Sequence, residues 1–176
     1  MNRRLAICGA LAVLFTVAGL AAQSVRIVPI VDERQVSVKF EMPDVYSPDV
    51  RETISSGLRT TFTYDIELRM LVPAWVDRTI ATKTVVMTDE YDNLTRRHIL
   101  TRMVDGRTED ALETDDEAEV KRWLTAVTRL PLCATSKLER NRDYYVRVTG
   151  RQRPQRNFPL GWAARVTGQA KFTFVP

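Results

Sequence analysis

Eleven residues constrain this chain more than any others. From Thr61 to Leu71, Phe62, Tyr64, Ile66, Leu68 and Met70 alternate without a fault with Thr61, Thr63, Asp65, Glu67 and Arg69. A period of two puts every apolar side chain on one face of an extended strand and every polar one on the other. Such a strand needs a core on one side and water on the other, as in an antiparallel sheet. The remaining strands are therefore sought in the same pattern.

They are found on both sides. Val25–Val31 and Gln35–Glu41 read as strands around Asp32-Glu33, with Val36, Val38 and Phe40 alternating in the second. Pro73-Ala74-Trp75 breaks the long strand. Arg78–Tyr91 and Leu94–Val104 then meet at Tyr91-Asp92-Asn93-Leu94 as a hairpin, and Asp105-Gly106 is a tight-turn signal before a return over Arg107–Glu113. Asp143–Gln152 and Arg165–Val175 are the last two strands. Ser47-Pro48 supplies a capping hydroxyl and a first-turn proline, and Gly57 a stop, so Pro48–Ser56 is expected to be helical. Thr114-Asp115-Asp116-Glu117 has the spacing of a capping box. It opens an expected helix over Asp115–Thr128 with Val120, Trp123, Leu124 and Val127 on one face, closed by Pro131. The expected fold is mainly β: an antiparallel β-sandwich or strongly curved sheet of about eight strands with two short amphipathic helices.

The amino terminus bears on location. Arg3 and Arg4 precede an apolar run from Leu5 to Leu20 that ends in the small residues Ala21 and Ala22. The run is shorter than the roughly 20 residues of a spanning helix and has the layout of a signal peptide. Residues 1–23 are expected to be that signal, cleaved after Ala21, Ala22 or Gln23, or kept as a tether. Residues 24–176 are expected to be one exported domain, periplasmic or envelope-associated. Cys8 falls in the signal and Cys133 stands alone, so packing rather than a disulfide must hold the domain.

Ser47-Pro48 to Gly57, Phe62-Thr63-Tyr64-Asp65-Ile66-Glu67, Tyr91-Asp92-Asn93-Leu94-Thr95-Arg96-Arg97, and the Trp123 helix leading to Leu130-Pro131-Leu132 together resemble the bacterial exported family known as domain of unknown function 4390. The resemblance runs from about Val36 to Val175. It implies a signal-bearing envelope domain with no assigned activity, sometimes encoded near two-component sensor genes, and it carries no catalytic residues over. The aromatic loop before the last strand, often longer in the family, is short here and ends in Phe158-Pro159-Leu160-Gly161-Trp162.

Candidate chemistry is sparse. His98 is the only histidine, without a second histidine or a cysteine pair to make a zinc site, and is expected to be a partly exposed strand residue sharing a face with Arg96. Cys133 follows an expected helix end and a proline rather than a helix start, which favours burial over nucleophilic activation. Asp105–Glu119 holds eight acids against Arg107, but lacks the spacing of a calcium loop and suits a helix amino terminus and a solvated face. No cofactor or metal site is expected, and neither is an enzyme.

Charge is the sharper signal. Lys137–Arg165 holds eight basic residues against Glu139 and Asp143, the reverse of the acidic stretch. Arg151, Arg153 and Arg156 lie beside Phe158, Leu160 and Trp162, a layout suited to gripping an acidic envelope protein or an anionic membrane surface. Nucleic acid is disfavoured by export. The alternative is a carrier holding a lipid-like apolar ligand between the long strand and the helices.

Overall fold

The computed structural model describes residues 25–154 and 165–175. The predicted signal peptide lies outside the described residues, as do Arg156, Phe158, Leu160 and Trp162. The expected long strand is the centre of the molecule: strand β3 covers Thr60–Met70, and its alternate residues are buried from Thr60 to Met70, with Phe62, Tyr64 and Leu68 wholly inaccessible.

The strands before it are β1 (Arg26–Val31) and β2 (Gln35–Glu41), followed by a 3₁₀ turn at Pro43–Val45 and helix α1 (Pro48–Ser55). After β3 come β4 (Arg78–Asp92), β5 (Arg97–Val104), β6 (Arg107–Thr114), helix α2 (Glu117–Thr125), β7 (Ala126–Ala134), β8 (Arg142–Pro154) and β9 (Arg165–Phe174). A six-stranded sheet has the order β6-β5-β4-β3-β8-β9, and a three-stranded sheet the order β1-β2-β7. Every pairing is antiparallel.

The two sheets pack face to face, as the sandwich expectation requires, but they differ in size. Phe40 of β2 meets Tyr64 of β3 with ring centroids 5.2 Å apart, and β1 lies along β9. The inner face left uncovered near β4 to β6 is closed by α2, while α1 packs on β3 and β4. Val120 and Leu124 of α2 and Val50 and Ile54 of α1 are buried there. Two glycines permit this closeness. A Cβ on Gly168 would lie 2.4 Å from Val25 Cγ1, and one on Gly150 would lie 3.0 Å from Val45 Cγ2 and 3.1 Å from the Tyr64 ring.

Ser47 caps α1 as expected, its hydroxyl accepting from the Val50 amide at 3.3 Å. Gly57, at φ 80°, ends it, and Asp105 and Gly106, both at positive φ, make the second hairpin turn. In the first hairpin, the strands separate at Asp92 and Arg97. The Asp92 carboxylate folds that loop by accepting from the Leu94 amide at 2.8 Å and the Thr95 hydroxyl at 2.9 Å.

Two expectations around α2 are corrected. Its cap is Asp116, whose carboxylate accepts from the Ala118 amide at 2.8 Å, rather than Thr114. Thr114 sits one step outside, accepting from the Asp116 amide and donating to the Glu119 carboxylate at 2.6 Å. The helix then stops at Thr125, and residues expected to continue it form a ninth strand, β7. Val127 pairs with Phe40 and Leu130 with Val38, so tertiary ladder bonds and burial outweigh the helical spacing of Val127. Pro131 does not end the helix. It lies inside β7, which among the described residues pairs only with β2 and so presents an edge that needs no proline N–H, next to a register shift at Val36/Ser37.

Candidate functional site

The basic segment is set in place by β8. Its register puts Arg151 opposite Thr63 of β3 and Arg165 of β9, and Arg153 opposite Thr61. Because Val148, Gly150 and Gln152 alternate with them and are buried, these arginines project from the outer face of the large sheet. Arg153 and Arg165 are exposed, and neither has a carboxylate partner among the described residues.

Arg151 is different. Its guanidinium pairs with the Asp65 carboxylate on β3. A long cation on one strand finds the nearest acid on the same face of the next strand, a diagonal relationship hidden from the sequence. Further along, Arg147 lies 3.9 Å and Arg69 3.7 Å from Glu67, and the Arg147 guanidinium stacks 5.4 Å from the Tyr145 ring. The middle of the outer face is therefore internally compensated, while Arg153 and Arg165 at one end and Lys171 on β9 have no carboxylate partner among the described residues. Of the predicted basic aromatic edge, the described residues are Arg151, paired with Asp65, and Arg153; Arg165, not part of that prediction, lies opposite Arg151 on β9.

His98 corrects another expectation. It is buried rather than partly exposed, with Nδ1 3.1 Å and 3.0 Å from the two carboxylate oxygens of Asp89. Tyr91 covers it, ring centroids 4.6 Å apart. Arg96 shares no strand face with it, since Arg96 sits in the hairpin loop at φ 58°. Burial raises the Asp89 carboxyl above its usual range, and His98 opposes that shift. Among the described residues, no hydroxyl or thiol is hydrogen-bonded to the imidazole. Cys133 lies on β7, and burial raises its thiol pKa, which opposes thiolate formation.

The acidic stretch disperses. Asp105 pairs with Lys83 at 2.5 Å, Glu113 with Arg97 at 2.9 Å, and Glu117 with Arg51. Among the described residues, no three carboxylate, histidine or cysteine groups converge as a metal site.

Open grooves lie on the surface of the described residues. One of about 840 Å³ runs past Val31, Thr135, Leu138, Arg140 and Phe174, and one of about 420 Å³ lies between Tyr46, Arg51, Glu117 and Lys121. Between the sheets and the helices, Tyr64, Met87, Leu100 and Leu124 are wholly inaccessible and belong to one core cluster.

The family model described as "Domain of unknown function (DUF4390)" matches residues 19–156, more than half of the chain. No curated protein and no solved structure matches it.

Proposed function

The chain belongs to the DUF4390 family, and from that premise we propose that it is a non-catalytic module, exported to the cell envelope, that binds an acidic partner protein through the Arg153–Arg165 end of its large sheet. The observation that carries this is the pair of exposed guanidiniums on adjacent strands, without a carboxylate partner among the described residues, beside Arg69, Arg147 and Arg151, which are compensated by Glu67 and Asp65. Arginine is the cation suited to such a role, because its planar fork binds carboxylates in pairs and its charge does not titrate away. Export rests on the Arg3-Arg4 and Leu5–Leu20 layout.

The test is affinity purification of the full chain from its own cell envelope, with the wild type beside Arg153→Glu/Arg165→Glu and a Lys121→Glu control. An acidic protein should accompany the wild type and the control, leave as salt rises from about 0.05 to 0.5 M, and be absent from the double reversal. Retention of the same protein by the double reversal would overturn the proposal.

A further inference from the structure

At the other end of β3, the chain leaves Met70 and returns as β4 at Arg78 through a turn held by its own hydrogen bonds. The Asp77 carboxylate accepts from the Val72 amide at 3.3 Å and from the Tyr145 hydroxyl at 3.0 Å. The Trp75 amide donates to the Val72 carbonyl at 3.2 Å, and Arg69 donates to the Asp77 carbonyl at 3.0 Å. Ala74 is held at φ 60°, a conformation unfavourable for a residue with a Cβ. What this arrangement displays is apolar: Trp75 is 81% and Val76 74% exposed. Packing stability does not select a strained, hydrogen-bonded backbone that presents a bare tryptophan to water, and such outliers collect where a surface binds something.

Arginines and acids are paired around the turn. Arg78 pairs with Glu139 at 2.5 Å, which ties the Lys137–Arg142 turn to the same end, and Arg142 lies 3.6 Å from the same carboxylate. With Glu139 thus shared, exposed Lys137 and Arg140 have no carboxylate partner among the described residues. Val175, 69% exposed, follows Phe174, whose carbonyl accepts from the Asn141 amide in this turn at 2.9 Å.

We propose that the Trp75–Val76 turn is a shallow anchor that seats its indole in the interface of a bilayer containing anionic phospholipid, with Lys137 and Arg140 on the headgroups. A convex turn needs no complementary pocket in a fluid interface, and an indole with its N–H toward the headgroups is suited to that boundary. Lys137 and Arg140, without a carboxylate partner among the described residues, supply the attraction for anionic lipid. This surface is separate from the Arg153–Arg165 end. Thr61 marks one end of β3 and Met70 the other, about 30 Å apart at an ordinary strand rise. A domain seated by Trp75 would therefore hold Arg153 and Arg165 away from the bilayer, facing a partner.

The chain has three tryptophans, so the full chain carrying Trp123→Phe and Trp162→Phe makes Trp75 the sole indole reporter, whatever residues 1–23 do at the vesicle. On mixed phosphatidylglycerol and phosphatidylcholine vesicles its emission should shift to shorter wavelength. Lipids brominated near the headgroup should quench it more than lipids brominated at the chain end. Lys137→Glu/Arg140→Glu should weaken that association roughly tenfold to thirtyfold. Emission that stays water-like and unquenched on these vesicles would overturn the anchor. Quenching unchanged in pure phosphatidylcholine would overturn its anionic preference. A shift seen only when envelope protein is added would assign the turn to a protein contact instead.

Discussion

The His98 imidazole and the Asp89 carboxylate face each other across neighbouring strands β5 and β4, Nδ1 to oxygen at 3.0 Å, with Asp89 wholly inaccessible to water. Removing one partner of such a pair leaves the other uncompensated, which costs more than the pair itself contributes. His98→Ala is expected to destabilise the fold by about 2–4 kcal/mol in urea titration at pH 7. In that variant burial alone acts on Asp89 and raises its carboxyl further. An acid whose folded pKa is raised binds its proton more tightly when folded, so stability is gained as pH falls through that pKa. The deficit of His98→Ala should shrink between pH 7 and pH 4. A deficit unchanged with pH would show that the cavity, not the charge, sets the cost.

Asp105 behaves in the opposite sense. The Lys83 ammonium and the Thr84 amide hold its carboxyl below the usual range. Its contribution is complete above the unfolded value near pH 4 and is lost as pH falls through the lower folded one. Asp105→Asn should therefore flatten the loss of stability below about pH 4, by about 1 kcal/mol or less because the pair is largely solvated. Acid titration of the two proteins followed by circular dichroism is the check.

Tyr64 joins the sheet to α2. Its ring is buried against Phe40, and its hydroxyl donates to the Leu124 carbonyl at 2.5 Å in the last turn of the helix. Tyr64→Phe keeps the packing but orphans that carbonyl, for an expected cost of about 1–2 kcal/mol. Leu124→Ala should cost more, about 2–5 kcal/mol, through the cavity it opens. Thermal unfolding of both would reverse this order only if the hydrogen bond outweighed the core contact.

Gly150→Ala tests the fit between the 3₁₀ turn and β8. A methyl group there would meet Val45 at 3.0 Å and the Tyr64 ring at 3.1 Å, neither of which can withdraw without disturbing the core. The expected loss is about 1–3 kcal/mol of unfolding free energy. A neutral result would mean that the Pro43–Val45 turn yields.

Much of this arrangement was legible from residue order. The fault-free alternation from Phe62 to Met70 decided a long strand with one wet face, because a period of two leaves only one face to bury, while its place inside the six-stranded sheet came from the tertiary structure. Ser47-Pro48 with Gly57 and Asp105-Gly106 settled α1 and a hairpin, since capping and positive φ act within a few residues. The basic segment could be counted but not resolved into free and compensated charge. Arg151 meets Asp65 across 86 positions of chain, and only strand pairing makes them neighbours. The same applies to His98, whose partner lies on the preceding strand, and to Trp75, whose strand-breaking turn was visible while its exposure was not.

Local chemistry thus determined where this chain is extended, where it turns and what one face of each strand must avoid. Tertiary structure alone decided that residues 126–128, expected to finish the helix, instead begin the strand Ala126–Ala134, and which cations lack a carboxylate partner among the described residues. Helical spacing at Val127 is a local preference worth tenths of a kcal/mol per residue. Pairing with β2 satisfies a row of backbone groups and buries Val127, Leu130 and Leu132 together, and that sum is settled by residues nearly a hundred positions away.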